Sequence, residues 1–349
     1  MNLPPLPTSY LLDFLTRLLN TPSPTGLAAA AIDLVERELA QFPGLTFQRT
    51  RKGALVARWQ GLRDDAPRAL TAHVDTLGAM VKEILPDGRL KLTRIGGLVL
   101  NGVETEGCWV FTASGEKIRG AYMFHKASGH VYGAASNDTR REEGNMEVRL
   151  DARTQSAAET RALGIQVGDF VAFDTRTEIV NGFVRSRFLD DKACVANILA
   201  AVRALSEAGL KPAQTTYLFI SNYEEVGHGA SAGIPAEVTE LVTVDMAAVG
   251  DGQESDEYHA TLCLKDSGGA YHHGLSSKLR ALAQAHSIPY KTDIYPNYGS
   301  DGEAFWHAGG DAAVALIGPG VDASHNYERT HTEALEATSR WLMAYLLTD

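Results

Sequence analysis

Cysteine is scarce and unpatterned in this chain. Cys108, Cys194 and Cys263 are the three among 349 residues, far apart and with no CxxC pair. That excludes a disulfide framework and a Cys-rich structural metal site, and it suits a reducing compartment. No apolar run approaches the roughly 20 residues a membrane-crossing helix needs. Met1-Asn2-Leu3-Pro4-Pro5 has neither the basic start nor the apolar stretch of a secretory leader. A cytoplasmic location is therefore expected, with no membrane partner. Positive charge is also in deficit: Lys and Arg number 32 against 43 Asp and Glu, a net charge of −11. An acidic surface argues against nucleic acid as a partner. No GxxxxGK[ST] phosphate cradle occurs, so Gly96-Gly97 and Gly268-Gly269 read as turns.

What is present is ordinary globular material, 44% apolar and 21% charged. The length fits one large domain and a smaller one. Leu11, Leu15, Leu18 and Leu19 share one face of a helix at 10–20, which Thr21-Pro22-Ser23-Pro24-Thr25-Gly26 breaks. A second helix over 27–41 and strands at 45–49, 54–59 and 68–75 follow. Between Thr76 and Asn181 the texture becomes β-rich, with Gly and Asp turns such as Pro86-Asp87-Gly88, which suggests a small barrel or sandwich. Within it, 137–161 reads as a charged loop with a short helix. From Gly182 strands and helices alternate again, with helices at 193–208, 276–286, 302–307 and 333–347 and strands at 215–221, 241–244 and 313–317. The expected fold class is α/β, a mostly parallel sheet flanked by helices, with an inserted small β-barrel domain. The catalytic domain would comprise 1–75 and 182–349, and the insert 76–181.

Chemistry-bearing residues collect where strands end. His73 with Asp75, Asp190 with Asp191, Glu224 with Glu225, and Asp245 each follow an apolar run, and His325 and His331 lie near the last helix. In open parallel sheets such ends converge on one crevice. Any one motif alone reads as a solvated turn. Together they are clustered carboxylates that repel unless a cation neutralises them. Imidazole and carboxylate without thiolate suit Zn²⁺, Co²⁺ or Mn²⁺. The remaining candidates are weaker. His272-His273 reads as a surface pair, Cys194 as a packed helix residue, and Asp301, in Tyr298-Gly299-Ser300-Asp301-Gly302, as a helix cap.

Thr71-Ala72-His73-Val74-Asp75-Thr76-Leu77-Gly78-Ala79-Met80-Val81 resembles the AHxDxxGxMV motif of the di-metal aminopeptidases that form tetrahedral particles. That is the glutamyl and deblocking aminopeptidase family, some of whose members carry a cellulase label. Leu189-Asp190-Asp191-Lys192, Glu224-Glu225-Val226-Gly227 and Val244-Asp245-Met246 resemble its later motifs in order, and Leu163-Gly164-Ile165-Gln166-Val167-Gly168-Asp169-Phe170-Val171 resembles the signature of its inserted domain. The similarity extends over nearly the whole chain. Lys126-Ala127-Ser128-Gly129-His130 and the segment Gly320 to His331 resemble a branch found beside enzymes that make an osmoprotectant dipeptide amide.

The resemblance implies a zinc-aminopeptidase-like fold, two divalent metal ions per subunit and hydrolysis of N-terminal residues from short peptides. It implies that His73 and Asp245 hold one metal, Glu225 and His331 the other, and that Asp190 bridges them across a cis Asp190–Asp191 peptide. Glu224 would be the general base and Asp75 would orient His73. A water bridging the metals would attack the scissile carbonyl. His331 is preferred to His325 because His331-Thr332 precedes the last helix, as the family's ligand does. The β-rich insert would mediate a homo-oligomer, dimer-based and up to a dodecamer, and His130 could reach a neighbouring subunit. Two departures touch substrate preference: Lys192 stands where Arg or Asn is common, and only His228 separates Glu224-Glu225-Val226-Gly227 from Gly229-Ala230. The alternatives are an amide hydrolase of a small acylated dipeptide or osmolyte, and an inactive scaffold or binding protein.

Overall fold

A computed structural model describes residues 2–349. The chain forms two compact units: Met1–Asp75 with Arg176–Asp349, and Thr76–Thr175. The return to the larger unit comes earlier than the expected Gly182. Glu178–Val180 pairs with Phe183–Ser186, and that strand pairs with Glu328–His331, so both belong to the large sheet.

The larger unit is built on a mixed sheet whose middle is parallel. Its path runs Leu45–Arg49, Leu55–Trp59, Gln214–Ser221, Arg63–His73, Glu240–Val244, Ala313–Asp322, Glu328–His331, Phe183–Ser186 and Glu178–Val180. Arg63–His73 lies parallel to Gln214–Ser221 and to Glu240–Val244, which lies parallel to Ala313–Asp322. All of Gln214–Ser221 is buried, as expected of a central parallel strand covered on both faces. Alternate residues divide the packing. Ala69, Tyr217, Phe219, Leu241, Val314 and Leu316 form one cluster with Phe305 and Trp306 of the helix Asp301–His307.

Three helices, Thr8–Leu19, Leu189–Glu207 and Thr332–Leu347, form a packed layer. Leu11, Phe14, Leu15, Leu18 and Leu19 of the first are wholly or almost wholly buried, the face expected from the leucine spacing. Leu189–Glu207 is buried nearly all round, which suits a helix wedged between others. Ala193, Ala196, Ala200 and Ala201 keep its girth small. The amide NH₂ of its polar Asn197 donates to the Leu335 carbonyl at 2.7 Å and to Ser339 Oγ at 2.8 Å. Strands Ala260–Asp266 and Tyr290–Ile294, which pair in parallel, extend the sheet and were not legible in the sequence.

The smaller unit is a closed six-stranded antiparallel barrel, in the order Gly78–Ile84, Leu90–Ile95, Met146–Leu150, Lys117–Phe124, Gly107–Phe111, Phe170–Phe173. Val81, Leu92, Val110, Tyr122, Phe124, Val148 and Val171 fill it. In the stretch 137–161, read as a charged loop with a short helix, the helix Ala157–Ala162 is present, but Met146–Leu150 is a strand and corrects that part of the reading. Its charges conceal a strand, because Glu147 is buried against the Arg89 guanidinium instead of facing water.

Candidate metal and catalytic site

Parallel register brings the polar strand ends to one edge of the larger unit. His73 is paired with Ser221, so the chain beyond each strand starts level. Past Ser221 it turns through a 3₁₀ turn, Glu224–Val226. Val244 is paired with Ile317, and the Asp245 amide donates to the Ile317 carbonyl at 3.1 Å. Asp190 and Asp191 open the helix Leu189–Glu207 with non-helical backbone and a cis peptide between them.

His73 is buried, and its orientation is held on several sides. Its amide donates to Asp191 Oδ2 at 3.1 Å. Nδ1 lies 2.9 Å from the Asp75 carbonyl oxygen and 3.5 Å from Asp75 Oδ1. That leaves Nε2 facing Asp190 Oδ1 at 3.2 Å and Glu224 Oε2 at 3.5 Å. Asp75 is itself buried. It accepts from Thr25 Oγ1 at 2.7 Å and from the amides of Glu224 and Glu225 at 3.2 and 3.4 Å. One carboxylate thus ties the His73 strand end to the Glu224–Glu225 turn.

Two donor groups result. His73, Asp190 and Asp245 offer ligand atoms close enough to share a cation, and so do Asp190, Glu225 and His325. Asp190 belongs to both: its Oδ1 faces His73, and its Oδ2 lies 3.5 Å from His325 Nε2. His325 Nε2 is also 3.8 Å from Glu225 Oε2. The imidazole that these distances bring to the second group is His325, whereas the sequence reading preferred His331. His331 has another task. It caps the helix Thr332–Leu347, accepting from the Glu333 amide at 3.2 Å, and its ring packs 4.8 Å from Phe183 and 5.2 Å from Tyr258.

The electrostatics fit cations. Burial pushes the carboxyls of Glu224, Glu225 and Asp245 upward, and the neighbouring carboxylates push the same way; Asp245 reaches about 8. Burial drives the His73 imidazole down, but Asp190, Asp75, Glu224 and Asp191 outweigh it and hold its pKa well above the usual value. Asp190 goes the other way, held low by His325 and His73 despite burial. His73 Nε2 has no hydrogen-bond partner, although it is buried among these acids. A buried imidazole nitrogen that faces converging carboxylates and makes no hydrogen bond is what a borderline cation with nitrogen and oxygen ligands would satisfy, taking the place of the proton that the acids otherwise favour.

The groups open on a cavity of about 400 Å³ lined by Asp190, Glu224, Glu225, Asp245 and His325, with Met246, Ala248 and Tyr298 among the other walls. Glu224 lines it and belongs to neither donor group. The Tyr298 to Asp301 segment does two things. Tyr298 and Gly299 line the cavity, while Ser300 caps the next helix. Asp301 reaches back to Thr71 Oγ1 at 3.0 Å and the Ala230 amide at 2.7 Å. Lys192 is wholly buried and donates to the Thr21 carbonyl at 2.8 Å, so it is not a wall of the cavity. His228 is exposed and stacks on Tyr223. His272 is an exposed helix cap and Cys194 is buried in its helix. Sequence reading missed Thr25 and Glu328. Nothing in a Thr-Pro-Gly turn marks Thr25 as a partner of Asp75. Glu328 sits in an ordinary Tyr-Glu-Arg run.

Residues 53–341 match the M42 glutamyl aminopeptidase family. The chain is 46% identical over 336 residues to YhfE of Bacillus subtilis (strain 168), which is named provisionally as an aminopeptidase; 96% of each chain is covered. Its fold is similar to that of the aminopeptidase APDkam598 from the archaeon Desulfurococcus kamchatkensis, with a TM-score of 0.87, 20% identity and coverage of 98% of this chain and 96% of that one. It is also similar to the Pyrococcus horikoshii TET1 peptidase, which can assemble into a tetrahedron or a large octahedral shell, with a TM-score of 0.85, 19% identity and coverage of 97% and 100%. With a polar cluster at parallel strand ends and a barrel of this order, the protein belongs to the M42 glutamyl aminopeptidase family.

Proposed function

We propose that this aminopeptidase is a co-catalytic two-metal enzyme that releases N-terminal residues from short peptides. The observation that carries the reading is Asp190, whose two carboxylate oxygens face two different imidazole–carboxylate groups. His73 and Asp245 would complete one group, and Glu225 and His325, in place of the expected His331, the other. Two divalent cations held there, Zn²⁺ first and Co²⁺ or Mn²⁺ as substitutes, would polarise the scissile carbonyl and acidify a water.

The chain's own residues supply the rest. Glu224 takes the proton of the attacking water and returns it to the leaving amine. Its place on the cavity wall, outside both donor groups, supports that role. Asp75 acts through others, fixing the His73 imidazole and the amides of Glu224 and Glu225. The cavity volume lies within the ordinary range for small-ligand sites. The expected homo-oligomer is dimer-based and reaches up to twelve subunits; the assemblies named for TET1 support self-association. Among the described residues no helix is long and apolar enough to cross a membrane, in keeping with work in the cytoplasm.

Chelation should abolish release of residues from free-amine peptides, and Zn²⁺, Co²⁺ or Mn²⁺ should restore it. Glu224→Gln should lower kcat by at least about 10², the lower end for general-base assistance, with both metals retained. Full turnover by rigorously metal-free protein would refute the metal role. Near wild-type turnover by metal-loaded Glu224→Gln would refute the base.

A further inference from the structure

We infer that Glu328 is a positioning residue that holds the Asp190 and His325 ligands in register for one of the two cations. The inference rests on the two-metal reading above. Glu328 opens the strand Glu328–His331, is almost wholly buried, and does not line the cavity. Its Oε2 accepts the Asp190 amide at 3.1 Å and its Oε1 accepts the His325 amide at 3.1 Å. One carboxylate therefore joins the start of a helix to a loop far away in sequence, and each junction is a ligand.

Both junctions need an external tether. Asp190 has a ψ of 105 and stands outside the helical ladder that follows it. His325 lies in the left-handed region at φ 64, shortly after Ala323 at φ 57. Residues bearing a β-carbon rarely adopt that conformation, and it persists when surrounding bonds determine it. A carboxylate has an acceptor on each oxygen and can take both amides at once. Glutamine has the same size but one acceptor, and its NH₂ would confront the other amide. His73 and Asp245 make no bond to Glu328, so a fault there should fall on the group containing His325.

The test titrates metal-free wild type and Glu328→Gln with Co²⁺, followed by calorimetry and visible absorption, with the Tm of each metal-free protein alongside. Wild type should take up two ions. In Glu328→Gln one step should stay near wild type and the other should weaken at least tenfold with a changed cobalt spectrum, while Tm shifts by only a few degrees. His325→Ala supplies the reference for the affected step. Should Glu328→Gln fail to fold, Glu328→Asp, which keeps the charge and loses reach, should show the same split. Two steps indistinguishable from wild type would overturn the inference, and so would parallel weakening of both with a collapse in Tm. If wild type takes up fewer than two cobalt ions, the two-metal reading itself fails, and the inference with it.

Discussion

His325 and His331 offer the same imidazole in different settings, and the setting decides what each can do. His325 Nε2 faces two carboxylates. His331 has one nitrogen occupied by the Glu333 amide and its ring between Phe183 and Tyr258. His325→Ala should remove one of two metals and most activity at little cost in Tm. His331→Ala should keep both metals and destabilise the fold by about 1 kcal/mol for the lost cap, plus the lost ring contacts. Metal analysis beside thermal denaturation separates them, and the reverse pattern would restore His331 as the ligand. The convergence of His73, Asp190, Glu225 and Asp245 was legible because each follows an apolar strand or opens a helix. The histidines were not separable in that way. Both lie in one polar stretch, and only the left-handed loop at Ala323 and His325 aims one of them inward.

Elements place the two donor groups by how closely their ends approach. Gly318, in Ala313–Asp322, runs so near the backbone at Asp245 that an added Cβ would overlap the Asp245 carbonyl oxygen. No rotamer change relieves a clash with backbone. Gly318→Ala should push the Asp245 end away, lower the affinity of the His73–Asp190–Asp245 group for metal by at least about tenfold, and reduce Tm. Unchanged metal affinity would show that the strand end is not held by this approach. The segment Thr21 to Gly26 has a similar hidden task. By sequence it only breaks a helix. In the fold Ser23 Oγ donates to the Val74 carbonyl at 2.7 Å, Thr25 to Asp75, and the Thr21 carbonyl accepts from Lys192. The periodic helices and central strands could be read because burial imposes their pattern. Met146–Leu150 could not, because an ion pair supplies what its alternation lacks. Cross-chain tethers such as Thr25 to Asp75 leave no local pattern at all.

At the scale of the molecule, the two units divide the expected tasks. All five residues of the two donor groups, with Glu224 and Asp75, lie in the larger unit. The barrel contributes none of them, which leaves it free for association. Light scattering of the full chain at micromolar concentration should report a multiple of the 37.6 kDa subunit; a monomer throughout would contradict the proposed assembly. The central claim is that Asp190 serves both donor groups, and metal stoichiometry tests it most directly. Wild type, Asp190→Asn, Asp245→Asn and Glu225→Gln would be loaded with Zn²⁺, freed of excess and analysed for zinc per chain. Two ions are expected in wild type, one after either flanking substitution, and fewer than one in Asp190→Asn with the fold retained. Two ions still bound by folded Asp190→Asn would contradict the account.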